Sequence, residues 1–206
     1  MSQAFEWIRL GGPTMLLLVA LSVATVTIVL VKLWEFTDQK IGDRRFVARA
    51  IDSWQRGHSE QALTLLGASP SPLADVMREA ISVRADAARS DEQVREYIEA
   101  YAAEKLEGLR GLMRPLEVIS QLAPLLGLLG TVLGMIQAFR QLQAAGDKVS
   151  PAILSGGLWE ALLTTAGGLA VAIVALVAFN YLDRQIERLQ QRMESALTAL
   201  LTSGTR

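Results

Sequence analysis

The chain of 206 residues is 51% hydrophobic and 20% charged, with a formal net charge of −1, one histidine and no cysteine. Without thiols there can be no disulfide, thiolate metal site or cysteine nucleophile, and cytoplasmic bases matched by acids such as Asp91, Glu92, Glu96 and Glu99 give no footprint for nucleic acid. So much apolar sequence coexists with so many charges because the charges are segregated.

Leu10 to Val31 is 22 residues without a charge, Val118 to Phe139 is another 22, and Ala161 to Leu182 is a third. At about 1.5 Å per residue, each is long enough to cross a hydrocarbon core of roughly 30 Å. One such run could be a buried helix of a soluble protein, but three leave too little amphipathic sequence to cover them. The boundaries predict transmembrane helices over 10–33, 116–142 and 151–182. Around them lie an N-terminal segment 1–9, a helical segment 34–115, a short connection 143–150 and a helical tail 183–206. The first run exceeds the apolar core of a signal peptide, only Arg9 precedes it as a base, and no clear small-x-small cleavage site lies ahead of Lys32. It reads as a retained anchor, with Lys32 at its end expected to snorkel to the headgroups.

Lys and Arg set the orientation. One precedes the first span, Lys32 lies at its end, twelve lie between the first and second spans, two (Arg140 and Lys148) separate the second and third, and Arg184, Arg188, Arg192 and Arg206 follow. The central segment and the C-terminal tail are therefore expected to be cytoplasmic, and the N-terminus and the 143–150 connection periplasmic.

Within the cytoplasmic segment, Pro70-Ser71-Pro72 is a break, with Ser71 placed as an N-cap and Pro72 at the first helical position. Ser90-Asp91-Glu92-Gln93 has the form of a capping box. From Asp91 the helical pattern continues to Pro115 and Glu117, which predicts a helix entering the second span directly. His58 sits in a polar Arg-Gly-His-Ser turn and reads as a solvated loop residue. In the tail, Leu182, Ile186, Leu189, Met193 and Leu200 recur at helical spacing, with Arg184, Arg188 and Arg192 on another face. That pattern fits a solvated extension and packing against cytoplasmic helices equally well. No stretch alternates like a strand, so the fold class is all-α: an integral membrane protein with three transmembrane helices and long cytoplasmic helical extensions.

Glu160 is the only ionisable residue from Leu158 to Leu182. A carboxylate in such a segment costs a few kcal/mol or more to hold in a bilayer and marks a functional position by default. Gly156, Glu160, Thr164 and Gly168 follow one another at i, i+4, flanked by Gly157 and Thr165. This stripe lets neighbouring helices approach and offers an acid to a polar seam. Were the helix to begin at Ala161, Glu160 would be an ordinary interfacial acid beside Trp159. Ser150-Pro151 is instead an N-cap followed by an N1 proline. A start at Pro151 puts Glu160 roughly 13 Å below the outer end, close to the roughly 16 Å depth of Thr131 on the second span. Gly127, Gly130 and Gly134 on that span, the last two a GxxxG pair, are read chiefly as helix-packing residues together with Gly156 and Gly168. Thr131 lies among these glycines, where back-bonding to its own helix is the commoner fate. Pro124 is expected to kink the helix. No phosphate-binding glycine loop, metal-spaced cluster or catalytic Ser/His/Asp set is present, so no cofactor, metal or enzymatic activity is expected.

LAPLLGLLGTVLGMIQAF (Leu122 to Phe139) and GLWEALLTTAGGLAVAI (Gly157 to Ile173) resemble the paired signature of the ExbB/TolQ/MotA proton-channel family. The three-span plan is similar to the ExbB and TolQ type; MotA has four spans and lacks the acid equivalent to Glu160. The resemblance implies a proton-channel subunit of a bacterial inner-membrane motor. Identical copies, a pentamer in the family, would surround the single transmembrane helices of an ExbD- or TolR-like partner and serve a TonB- or TolA-like energy transducer. By motif position Glu160 matches the family's span-three acid, and Thr131 and Thr165 its pore-facing threonines, with the essential aspartate on the partner. The chain departs from the pattern at Trp159, where relatives carry alanine, and at Val174, where they carry proline. A non-conducting scaffold that assembles a partner complex is the alternative.

Overall fold

The computed structural model describes residues 12–43, 45–85, 89–145 and 151–202. The expected periplasmic segment 1–9, Ser150 and most of the 143–150 connection lie outside them. The described residues form seven helices and no strand. These are α1 (Gly12–Asp38), α2 (Val47–Gln55), α3 (Ser59–Gly67), α4 (Pro72–Arg84), α5 (Asp91–Arg110), α6 (Met113–Ala145) and α7 (Pro151–Thr202). The protein is an all-α membrane protein, as its sequence predicts.

Three helices are long and apolar enough to cross a membrane: Pro13–Asp38, Met113–Ala144 and Ser155–Thr202. A helix is the natural form for such sequence, because it satisfies every backbone group internally where lipid offers no partner. Their segments 12–30 and 113–180 belong to one compact unit. Large apolar side chains such as Leu125, Leu128, Leu162, Ile173 and Val177 are left exposed there, the surface a single chain offers to lipid or to other chains. α6 runs through Pro124 as one continuous helix.

Residues 31–112 and 181–202 belong to the second unit. Helices α2 to α5 each pack on the next in sequence. The tail is no solvated extension: Leu182, Ile186, Leu189, Met193 and Leu200 are all buried within this unit. The Trp54 indole donates to the Leu200 carbonyl at 3.3 Å, and the Arg192 guanidinium to the Ile41 carbonyl at 3.1 Å. A 3–4 stripe of this kind buries itself wherever a complementary face exists, and here the same chain supplies it.

The local start signals have mixed outcomes. Ser90 and Gln93 form the capping box, with the Ser90 hydroxyl accepting from the Gln93 N–H at 3.3 Å and the Gln93 side chain from the Ser90 N–H at 3.0 Å. Ser71 holds the N-cap position with Pro72 after it, but its side chain makes no capping bond. Its buried hydroxyl has no hydrogen-bond partner.

Three expectations need correction or extension. α5 does not enter the second span directly: it stops at Arg110, Gly111 and Leu112 form a turn, and α6 starts at Met113. Pro115 has no N–H to offer the Gly111 carbonyl, and its ring crowds that oxygen; the Gly111 N–H bonds back to Gly108 at 3.3 Å in the tighter i−3 pattern. Lys32 does not snorkel. It is 2% exposed, and its ammonium donates to the Leu109 carbonyl and to Glu35, each at 2.8 Å. The carbonyl lies in the last turn of α5, where unsatisfied oxygens and the helix dipole favour a cation. Finally, α1 closes in a Schellman arrangement, with the Ile41 N–H on the Phe36 carbonyl and the Lys40 N–H on the Thr37 carbonyl. The position that usually takes glycine is held by Lys40 at φ 44°, a left-handed conformation that costs a non-glycine residue about 1 kcal/mol.

Lys32→Ala is expected to destabilise the protein in detergent by about 2–3 kcal/mol, because it strands a helix-end carbonyl and removes a charged hydrogen bond. Ser71→Ala should do the reverse and raise stability by about 1 kcal/mol, since it deletes an unpaired buried hydroxyl. Thermal or denaturant unfolding of the two variants side by side checks both signs.

Candidate functional site

α6 and α7 meet through a seam of small residues. A Cβ at Gly127 would lie 3.1 Å from the Thr164 carbonyl oxygen and from the Thr165 Cα. One at Gly134 would lie 3.1 Å from the Ala161 methyl, and one at Gly157 would lie 2.5 Å from the Ala138 methyl. At Gly168 it would meet the Ala123 carbonyl oxygen at 2.5 Å, and at Gly130 it would collide with the Thr164 side chain. Residue numbers rise on one helix as they fall on the other, so the pair is antiparallel. Such contacts allow backbone-to-backbone packing where lipid supplies no hydrophobic drive for helices to associate. α1 joins the unit through Leu18, which clusters with Ala123 and Ala172.

Gly127, Gly130, Gly134 and Gly168 therefore sit in the seam. Gly156 does not: a Cβ there meets nothing within 4 Å, and the contact belongs to Gly157. The 3–4 rows explain the difference, since Gly157 is four residues before Ala161 and seven before Thr164, whereas Gly156 is turned one position off that face.

The seam also sets the levels of the polar residues. Gly130 faces Thr164 and Gly134 faces Ala161, so Thr131 and Glu160 lie within about one helical turn of each other along the pair. Both are partly buried and stand one position aside from the contact line. No hydrogen bond joins them. The Thr131 hydroxyl donates to the Leu128 carbonyl of its own helix at 2.6 Å. Thr165 donates across the pair to the Gly127 carbonyl at 3.0 Å, which places Thr165 one turn away from Glu160 toward the middle of α7. With their protons on backbone oxygens, both threonines keep lone pairs free to accept. Glu160 makes no hydrogen bond or ion pair with any described residue. Trp159 beside it is 61% exposed.

Thr164 belongs to the packing and not to the polar flank. It is 1% exposed, its hydroxyl donates to the Ala161 carbonyl at 2.8 Å, and its side chain fills the space over Gly130. Thr164 and Thr165 are adjacent in sequence and differ in role because successive residues on a helix point about 100° apart. Sequence reasoning passed over Gly157, Ala123, Ala138 and Ala161 as seam residues, although a search for small residues at 3–4 spacing would have found them. Among the described residues no cluster of His, Cys, Asp or Glu could hold a metal.

Residues 68–195 match the MotA/TolQ/ExbB proton channel family. The chain belongs to that family. It is 27% identical over 183 residues to a putative ExbB-homologous biopolymer transport protein of Methanothermobacter thermautotrophicus, covering 88% of this chain and 63% of that one. To the biopolymer transport protein exbB1 of Vibrio cholerae it is 39% identical over 85 residues, 41% of this chain and 37% of the relative. To the Tol-Pal system protein TolQ of Haemophilus influenzae it is 33% identical over 87 residues, 42% and 38% of the two chains. The chain thus spans between 37% and 63% of the length of these relatives. Family membership and three apolar helices together support an inner-membrane protein.

Gly168→Ala is expected to destabilise the α6–α7 pair by about 1–3 kcal/mol, because the methyl meets backbone that cannot move aside. Gly156→Ala should be neutral within the chain, or stabilising by up to about 1 kcal/mol through helix propensity. Resistance to unfolding in mild detergent distinguishes the two, and equal effects would contradict the seam.

Proposed function

We propose that this chain is the proton-channel subunit of an ExbB–ExbD or TolQ–TolR type motor in the bacterial inner membrane, drawing on the proton motive force to energise transport or envelope processes at the outer membrane. The observation that carries the reading is Glu160: an acid in an apolar helix, beside the seam, within about one helical turn of Thr131, with no partner among the described residues. A carboxyl so placed can take up and release a proton as the hydration around it changes. Thr131 and Thr165 stand beside the same seam, and their free lone pairs accept hydrogen bonds from water moving past them. Sidedness follows the Lys/Arg asymmetry, with the N-terminus periplasmic and the C-terminus cytoplasmic.

Glu160 is the only acid in its span, so a second titrating group must come from another chain. A single-span ExbD- or TolR-like partner carrying a membrane aspartate fits this need, inside a ring of identical copies, a pentamer by resemblance, that acts on a TonB- or TolA-like transducer. Exposed apolar residues on α6 and α7 are the surfaces such an assembly covers. No cofactor enters the mechanism, and it is transport and not enzymatic turnover.

One observation favours the scaffold reading: both threonine hydroxyls already donate to backbone, as purely structural threonines do. The two readings part at Glu160. In proteoliposomes holding the complex with its single-span partner, Glu160→Gln and Glu160→Ala should each reduce proton flux by about a hundredfold, with assembly unchanged on native gels. Wild-type flux in Glu160→Gln would sink the channel reading and leave the scaffold.

A further inference from the structure

α1 loses its apolar character at a sharply marked place. Trp34 is 72% exposed, as expected of an aromatic anchor at headgroup level. Four residues on, the helix ends at Asp38 and the chain turns through the Schellman closure at Lys40. Just beyond lies a cavity of about 230 Å³, lined by Lys40, Asp43, Arg45, Arg49 and Ser69 among others, with room for several molecules the size of water. Lys40, Asp43 and Arg45 also border the larger hollow beside Phe36 and Thr37.

The charge around this cavity is unbalanced. Three cations face one carboxylate, and that carboxylate already accepts the Arg45 backbone N–H at 3.0 Å. None of the three cations forms an ion pair with a described residue. Several bases elsewhere in the same unit are paired, Lys32 with Glu35, Arg56 with Asp52, Arg78 with Asp75, Arg84 with Asp91 and Lys105 with Asp75; what sets these three apart is that they share one cavity. The Arg49 guanidinium bonds back to the Arg45 carbonyl at 3.3 Å, which holds the two arginines on one turn. Lys40 adds a separate indication. It occupies the left-handed position that a glycine would take without strain, and strain of this kind persists where the side chain is needed.

We propose that Lys40, Arg45 and Arg49 form a binding site for a phosphate oxyanion, presented by the headgroup of an anionic phospholipid. The guanidinium fork suits phosphate oxygens, and the lysine supplies a point charge. The site begins six residues past the interfacial Trp34, beside the headgroup layer. Bound there, the lipid would fix the junction between α1 and α2.

The test uses the full chain, purified in its native assembly in a neutral detergent. Short-chain phosphatidylglycerol, phosphatidylcholine and inorganic phosphate are titrated separately, following binding and the unfolding midpoint. Phosphatidylglycerol should bind saturably and raise the midpoint, while phosphatidylcholine at equal concentration does neither. Lys40→Gly should weaken phosphatidylglycerol binding about fivefold, and Arg45→Gln with Arg49→Gln together about 25-fold, from roughly one surface-cation contribution each. Lys40→Gly also relieves the backbone strain, so its unliganded stability should equal or exceed wild type, which separates lost binding from misfolding. Arg56→Gln removes the same charge outside the cavity and should bind as wild type does. Equal binding of the two lipids, or unchanged phosphatidylglycerol binding in both site variants, would overturn the proposal. Saturable binding of inorganic phosphate that is lost in the same variants, without a preference for phosphatidylglycerol, would overturn the lipid as its source.

Discussion

Close approach of the α6 and α7 backbones is the constraint on which the membrane unit depends. A methyl group at Gly168 would sit 2.5 Å from the Ala123 carbonyl oxygen, and one at Gly157 equally close to the Ala138 methyl. Lipid tails are as apolar as leucine, so nothing resembling the hydrophobic effect presses these helices together. What holds them is contact between surfaces with no side chains in the way, and one hydrogen bond from Thr165 to the Gly127 carbonyl. With the contact line reserved for small residues, anything polar must stand beside it. Glu160 and Thr131 stand beside it within about one helical turn of each other, and Thr164, one residue from Thr165, is consumed by packing.

In the second unit the same economy of space is met by different means. Water is available there, so amphipathic stripes carry the packing: Leu182, Ile186, Leu189 and Met193 bury one side of the tail while Arg184 and Arg188 stay outside. Polar groups that end up inside are matched individually, as Lys32 is by Leu109 and Glu35. Ser71 is the exception, a buried hydroxyl without a partner at a helix start where proline already fixes the backbone. Lys40, Arg45 and Arg49, with no ion pair to a described residue, gather around one cavity, which is why they invite a ligand.

Much of the architecture was legible because it rests on local rules. Charge-free runs mark spans, Ser90 to Gln93 mark a capping box, and the family segments mark the second and third apolar helices. α7 begins at Pro151, where a fixed φ and a missing N–H suit a first turn. What misled were residues whose fate depends on a distant partner. Lys32 closes an apolar run as a snorkelling lysine does, and only the end of α5, 77 residues later, makes it a buried cap. Gly156 and Gly157 are indistinguishable by type, and Gly111 and Pro115 had to be weighed against a helical pattern that otherwise ran on.

The sequence alone determined that this is an all-α membrane protein with three apolar helices, and that one acid stands in the apolar run of the last of them, because hydrophobic length and the energy of a charge in lipid are properties of segments. It also determined the family, since the motif segments carry it. Tertiary structure decided which glycines pack, which threonine bridges the helix pair, where Lys32 goes and which cations stay unpaired. Those outcomes depend on the rotation and register of one helix against another, and a rotation of about 100° exchanges the role of each residue with its neighbour's.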